Sequence, residues 1–457
     1  MEDLPRAVLT DVIAAVEHGG HMLAAEFSRA EGPRGGEHKA PIDLEIELML
    51  RPRLLALIPG RFIGEEDGTL EALAGSQYAD YAWAVDPQDG TKAFGEGSRG
   101  SAVSVGLLHR GVPVLGVVFA PTSPDRGPDM IAWAEGCPAI LRNSAKVTHD
   151  LTEADLTPGA IVLLNHTSGL RPLTASARVA PAGFVPMPSI AYRLARIAVG
   201  DAVGTMSLNT ISALDYAAGH ALLRGAGGVL TDGAGRPVTY TDLGDSGAVG
   251  CFGGGPKAVA TMLARTWRGS TEPRRDRRVT LGWPRAVENT ALDRAVGAMV
   301  GMLIGDSDPG GLPSQPGPAG EAALAYARAL AAGTEPPEGG ALGAVARGIT
   351  GAHLPNGAHD GLAAAISAAI SGADHATVHS FAGDPRDPAM AGALLGATAG
   401  RQAFAASAAL ALMACRPDVA LEVARPRPAA LWPDDVIDLA EALLLKRAPY
   451  QESPHRD

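Results

Sequence analysis

Near Arg268 the chain stops being one kind of sequence and becomes another. Before it, short apolar runs separated by Gly and Pro alternate with helical patterns. After residue 289, Ala-rich helical segments broken by Gly/Pro loops carry scarcely any strand signal. Such a break implies two cores rather than one. The length of 457 residues agrees, since single cores rarely grow beyond about 250–300 residues. We expect a mixed α+β domain over residues 1–265, a polar linker over 266–288, and a separate all-α domain over 289–450.

In the first part, residues 7–27 give an apolar stripe at helical spacing, with the Gly19-Gly20 pair expected to weaken its middle. A second helical pattern runs from Asp43 until Pro59-Gly60 stops it. Strands are predicted over Tyr81–Val85, Val103–Leu108 and Val112–Ala120, the last two joined as a hairpin through Arg110-Gly111. Further strands follow at Ile161–Leu164 and Gly228–Thr231, with helices over Ser189–Val199 and Leu214–Gly225. In the second part, helices are predicted over Ala291–Ile304, Glu321–Ala332, Gly361–Ser371, Met390–Ala414 and Asp434–Leu445.

Charge and cysteine usage exclude several functions. With 38 basic and 50 acidic side chains the net charge is −12, a poor match to a phosphate backbone, so no nucleic-acid partner is expected. The short cluster Arg274, Arg275, Arg277 and Arg278 reads as solvated linker. Cys137, Cys251 and Cys415 are widely spaced and form no CxxC pair, which speaks against a disulfide framework and fits a reducing compartment. The acidic, amphipathic N-terminus and the lack of an apolar run of about 18 residues predict a cytoplasmic protein with no membrane partner.

The stretch from Ala82 to Thr91 carries the chemistry: an apolar strand runs into Asp86, Pro87 turns the chain, and Asp89 follows before Gly90 and Thr91. Two carboxylates delivered by one tight turn can bridge hard divalent cations. Free N–H groups at Gly90 and Thr91, opening a helix, would favour a phosphate beside them. Gly64-Glu65-Glu66 offers another carboxylate upstream, and Asp215 stands at a helix start ahead of the small residues Ala217, Ala218 and Gly219. Any one of these aspartates alone reads more readily as a turn or N-cap residue.

Taken together, the motifs over residues 1–260 resemble those of the inositol monophosphatase superfamily. Val85–Thr91 matches its D-P-x-D-G-T signature, Gly64–Glu66 its G-E-E motif, and Leu214–Gly219 its W-D-x-A-A-G motif with Leu in place of Trp. The resemblance implies a layered αβαβα domain and Mg²⁺-dependent hydrolysis of a small phosphate monoester by metal-activated water. It implies that Glu65, Asp86, Asp89, Asp215 and the Gln88 carbonyl hold the metal. Gly90, Thr91 and Ser189 would contact substrate, and Glu65, Thr91 and Asp43 would take part in catalysis, with Thr91 and Asp43 orienting the water. Dimers are common in that family, so a homodimer is allowed for, though no interface is legible.

Departures from the pattern bear on the substrate. Leu208 replaces the acid that would contact inositol, Ala93 an Asn, Pro188 a Gly, and Ala40 the Thr of a T-x-x-D segment ending at Asp43. The metal half is kept while the polyol half is rewritten. A sugar, nucleoside or pathway-intermediate phosphate is therefore expected, since Leu208 cannot hydrogen-bond a hydroxyl.

Residues 290–445 resemble the ADP-ribosylglycohydrolase family in the Gly297–Asp306 helix and in Gly383-Asp384-Pro385-Arg386-Asp387. That family's adjacent Asp pair is missing, the aligned stretch reading Gly317–Glu321, so a degenerate scaffold is expected. Asp306, Asp384 and Asp387 then serve as caps and loop acids, and His353, His359, His375 and His379 as ordinary loop residues. Two other readings stay open: a bifunctional protein that also cleaves an N-glycosidic bond, and a ligand-binding protein without turnover.

Overall fold

The computed structural model describes residues 4–35, 40–66, 68–72, 75–241, 245–276, 281, 283, 285, 290–305, 324–325, 327–329, 345–347, 349–350, 360–370, 388–404, 406–416, 432 and 434–445. The chain divides into two compact units: the first comprises Met1–Arg275 with Gly282–Val287 and Cys415–Pro426, the second the remainder.

The first unit opens with α1 (Leu4–Phe27) and α2 (Pro41–Leu57), followed by a mostly antiparallel sheet. Its strands are β1 (Arg61–Gly64), β2 (Thr69–Leu70), β3 (Tyr81–Asp89), β4 (Ala102–His109), β5 (Val112–Ala120), β6 (Asp129–Ala134), β7 (Ile140–Arg142) and β8 (Ala145–Val147). They lie in the order β2-β1-β3-β4-β5-β6-β7-β8. The β1/β3 pair alone is parallel, and the short α3 (Thr91–Gly95) leaves the end of β3. Val12, Val16, Ile46 and Leu50 of the two helices share a core with Trp83, Val85, Val103 and Val117 of the sheet. Trp83 and Val85 are two apart in β3, so they point to the same face of the pleated sheet, the one that α1 and α2 cover.

A second sheet, ordered β10-β9-β11-β13-β12, contains β9 (Ile161–Leu164), β10 (Gly183–Pro186), β11 (Gly204–Ser212), β12 (Val229–Asp232) and β13 (Asp245–Gly254). Between the sheets α5 (Ile190–Ala198) and α6 (Ala213–Gly225) touch both, while α4 (Pro172–Val179) and α7 (Pro256–Leu263) pack on the second sheet. Helices, sheet, helices, sheet, helices is the resulting stack. Small residues set its tightness: a Cβ added to Gly116 of β5 would lie 2.1 Å from the Ala218 carbonyl oxygen of α6. This close approach brings the first turn of α6, with Asp215, down onto β3 and β4.

Three local expectations need correction. The Gly19-Gly20 pair does not weaken α1; a Cβ on Gly20 would fall 2.1 Å from the Phe119 ring, so the glycine is what lets helix and strand meet. β3 does not end at Val85 but runs to Asp89, with a register shift between Asp86 and Asp89. The stretch after Trp267 is not solvated linker up to Arg275. The Glu272 carboxylate accepts the N–H groups of Leu173 and Thr174 at 3.2 and 2.6 Å. It thereby caps α4 from a distance in sequence, and Arg275 donates Nε to the Gly169 carbonyl at 2.6 Å. On the outer edge of the second sheet, Cys415 and Phe184 exchange N–H···O bonds of 2.8 and 2.9 Å.

In the second unit the described elements are helices: α8 (Thr290–Gly305), α9 (Asp360–Ile370), α10 (Pro388–Ala399), α11 (Ala406–Met413) and α12 (Val436–Leu445), with helical residues also at 324–325, 327–329, 345–347 and 349–350. Backbones of α8 and α10 approach where Gly297 and Gly301 face Gly396 and Gly392. The single helix expected over Met390–Ala414 is two, because Gly400 takes a left-handed φ of 73° and a 3-10 turn follows. Asp306, His353, His359, His375, His379, Asp384 and Asp387 lie outside the described residues. No described helix is long and apolar enough to cross a membrane.

Candidate metal and phosphate site

The site begins at the irregularity in β3. Asp86 is buried and its Oδ1 accepts the Gln88 N–H at 2.8 Å, so the chain turns tightly and presents Asp89 three residues on. Gly90 then adopts a left-handed φ of 100° and caps α3, a conformation that L side chains rarely take. Thr91 closes the turn by donating its hydroxyl to the Gln88 carbonyl at 2.9 Å.

Three further elements bring acids to this turn. β1 runs parallel to β3 with Gly64 beside Val85, which sets Glu65 at the rim, open to solvent. Glu47 of α2, buried, accepts the Glu66 N–H at 2.8 Å and is itself held by Arg51 at 2.8 Å, fixing the loop that carries Glu65. Ser212 caps α6 through the Leu214 N–H at 3.3 Å, placing Asp215 in its first turn. From the far side, the start of α5 meets Asp89: the Ser189 hydroxyl and the Ala191 N–H both donate to Asp89 Oδ2, at 2.6 and 2.7 Å. Ser189 in turn accepts the Tyr192 N–H at 2.9 Å as N-cap.

Electrostatics show what such a cluster costs. Burial, then repulsion from Glu65, Asp89 and Asp215, pushes the Asp86 carboxyl well above the ordinary carboxylate range. Asp215 is driven up by burial and by Asp89 and Glu65. Glu65, although it stands exposed at the rim, is raised by desolvation among the surrounding residues and by repulsion from Glu66 and Asp89, with Asp86 pulling the other way. For Asp89 burial raises the carboxyl, while Ser189, Ala191 and the Arg193 charge pull the other way. Glu65 and Asp215 both stand close enough to Asp86 to share its surroundings, and both raise it. Asp43, at 3% exposure with Oδ1 unpartnered, is raised to about 7 by burial and then by Glu65 and Glu66, against a backbone hydrogen bond from Ala40.

Among the described residues no three acidic or histidine side chains converge tightly enough to enclose an ion. The donor set nevertheless fits Mg²⁺: carboxylate and carbonyl oxygens, crowded and in need of positive charge. The structure thus gathers Glu65, Asp86, Gln88, Asp89 and Asp215, with Gly90, Thr91 and Ser189 beside them. It does not pair Thr91 with Asp43, since the Thr91 hydroxyl is given to Gln88. Glu47 and Arg193 carried no sequence-level role. Glu47 stands one helical turn after Asp43, which was the available signal. Arg193, fully buried and bonded to Ser189 O, Thr205 Oγ1 and Met206 O, had none. Leu208 is half-buried on β11, and Ala93 is buried.

A layered sandwich with acids gathered at the end of its long strand defines a metal-dependent phosphomonoesterase. A model of the Inositol monophosphatase family matches residues 7–270, and the chain belongs to that family. It is 30% identical over 250 residues to the probable inositol 1-monophosphatase ImpA of Mycobacterium tuberculosis, spanning 51% of this chain and 84% of that protein. To the 3'(2'),5'-bisphosphate nucleotidase CysQ of Salmonella typhimurium it is 30% identical over 162 residues, 35% of this chain and 62% of the relative. The solved inositol monophosphatase of Anabaena (Nostoc) superposes with a TM-score of 0.44 at 23% identity, covering 56% of this chain and 94% of that one.

Proposed function

We infer that the first unit hydrolyses a sugar or nucleoside phosphate, or a pathway intermediate of similar polarity, rather than an inositol phosphate. The observation that carries this reading is the tight turn that buries Asp86 against the Gln88 N–H and presents Asp89, held by the start of α5, with Glu65 and Asp215 near enough to repel them. Glu65, Asp86, Asp89, Asp215 and the Gln88 carbonyl would hold Mg²⁺. When bound, Mg²⁺ neutralises phosphoryl charge, stabilises the leaving alkoxide and acidifies water. Gly90 and Thr91 orient the phosphate through backbone N–H groups. Ser189 steadies Asp89, and Asp43, half-ionised near neutrality, accepts a proton from the attacking water. Positioning and electrostatics supply most of the acceleration.

Leu208 at the position of a polyol-contacting acid supports a less hydroxylated substrate. Similarity to CysQ, named as a bisphosphate nucleotidase, supports a nucleoside phosphate within that range. Phosphate release with Mg²⁺ across sugar, nucleoside and polyol phosphates tests the reading, with Asp89→Asn as control. Release by the wild type alone sustains it, and wild-type activity in Asp89→Asn overturns the ligand assignment.

For the second unit we keep the reading of an ADP-ribosylglycohydrolase-like scaffold without turnover, supported by the helices over 290–305 and 388–399. Metal-dependent release of ADP-ribose would replace it with the bifunctional reading. Ligand binding without any hydrolysis would favour the non-catalytic one. A cytoplasmic setting belongs to the same proposal, supported by three free cysteines. A homodimer stays a proposal as well.

A further inference from the structure

The family match ends at residue 270, yet Trp283 and Arg285 belong to the first unit and pack directly behind α3. The Trp283 ring meets Phe27 edge-on with centroids 5.5 Å apart, and Phe27 meets Phe94 of α3 at 5.2 Å. Arg285, at 5% exposure, donates Nη1 to the Gly97 carbonyl at 2.6 Å and lies 5.8 Å over the same Phe27 ring. The receiving surface is cut to fit. A Cβ on Gly32 would stand 2.7 Å from the Trp283 indole nitrogen, and one on Gly97 would stand 3.0 Å from Arg285 Nη1. Both glycines also take left-handed φ values, 87° and 76°. The contacts end on a short segment: Gly97 N–H bonds Phe94 O at 2.8 Å and Ser98 N–H bonds Ala93 O at 2.8 Å, so α3 and its following loop move as one piece.

We propose that Trp283 and Arg285 form a strap that holds α3, and with it Gly90 and Thr91, in register with the acids, so that the catalytic unit extends past the family boundary. The proposal rests on the reading that Gly90 and Thr91 orient the phosphoryl group. Arg285 is a positioning residue: it touches neither substrate nor metal and acts through Gly97. A five-residue helix has little stability of its own, so contacts from behind decide how sharply its first turn is placed. Misplacement of a positioning element by about 1 Å costs on the order of 100-fold in rate.

The test uses the full chain with Arg285→Gln, Arg285→Lys and Trp283→Phe. Arg285→Gln is expected to lower kcat by roughly tenfold with KM moved less than about twofold, and Arg285→Lys to recover part of the loss by reaching Gly97. Trp283→Phe, which keeps an aromatic ring near Phe27 but fills less of the space over Gly32, is expected to lower kcat less than Arg285→Gln does. It also isolates a second readout: inorganic phosphate with Mg²⁺ should shift Trp283 emission, seen as wild type minus Trp283→Phe, and Arg285→Gln should abolish that shift. Wild-type kcat in folded Arg285→Gln, or a fall in thermal midpoint with kcat unchanged, overturns the strap. A loss in Gly90→Ala, which strains the left-handed turn ahead of α3, together with wild-type kcat in Arg285→Gln overturns the strap and leaves the phosphate-orienting reading; wild-type kcat in Gly90→Ala overturns that reading and the proposal that rests on it.

Discussion

Asp89 and Ser189, a hundred residues apart in the chain, share a hydrogen bond of 2.6 Å. The same Ser189 oxygen caps α5 by accepting the Tyr192 N–H, so one hydroxyl fastens a helix and a candidate metal ligand together. Ser189→Ala is expected to cost about 1 kcal/mol of stability, as lost N-caps do. It should also lower Mg²⁺-dependent phosphate release, because Asp89 keeps only backbone donors on Oδ2. Thermal unfolding and a Mg²⁺ titration of the rate measure the two effects separately.

Asp43 gives a pH signature. Its carboxyl is lifted in the folded protein to about 7 from an ordinary 3.8, chiefly by burial. A raised acid binds its proton more tightly folded than unfolded. Its contribution to stability is therefore full below pH 3.8 and is lost as pH rises through about 7. Asp43→Asn should remove that loss, leaving a flatter profile than wild type between those limits in metal-free protein. Identical profiles for the two proteins would show that Asp43 is not raised.

Behind α5, Arg196 is fully buried and bonds Asp125 with both terminal nitrogens, at 2.5 and 2.7 Å, and Asp201 through Nε at 2.7 Å. Tyr192 adds a 2.6 Å bond to Asp129. Asp125→Asn leaves a buried guanidinium short of charge, and a loss of about 3–5 kcal/mol is expected. Chemical denaturation checks this, and recovery in Asp125→Leu/Arg196→Met would show that the uncompensated charge, not the volume, is responsible.

Substrate choice is tested at Leu208. Leu208→Asp restores an acid able to accept a hydroxyl, and activity on polyol phosphates should rise relative to nucleoside phosphates. An unchanged ranking of substrates would mean that residue 208 does not face the bound alcohol.

Periodicity made much of this architecture readable. The β5 strand and the Ile161–Leu164 strand fall where the apolar runs placed them, because a buried strand in such a sandwich is a short, nearly unbroken apolar run. β10 and β13 were not legible: the first is a four-residue edge, and the second contains four glycines that blur alternation. The extension of β3 to Asp89 was hidden by Pro87, which ordinarily ends a strand but here sits at the register shift. The candidate acids were singled out by the turn at Asp86–Asp89 together with the family resemblance, not by any one residue. What ties them in place, Glu47 under Glu66 and Ser189 against Asp89, depends on tertiary contact and leaves little trace in a linear pattern. The docking of Glu272 on α4 was missed for the same reason, since a polar stretch reads as solvated whether or not its acid finds a helix end.

Gly116 of β5 and Ala218 of α6, about a hundred residues apart in sequence, meet with no room for a Cβ between them. Asp43, Glu65, Asp89, Ser189 and Asp215 come from five separate stretches of chain, and none gains its neighbours from local structure alone. Contacts of such long sequence separation form late and slowly during folding. The ability to hold a divalent cation should thus be absent from every partly folded state, and a metal-binding signal followed during refolding would time the final closure of the sandwich.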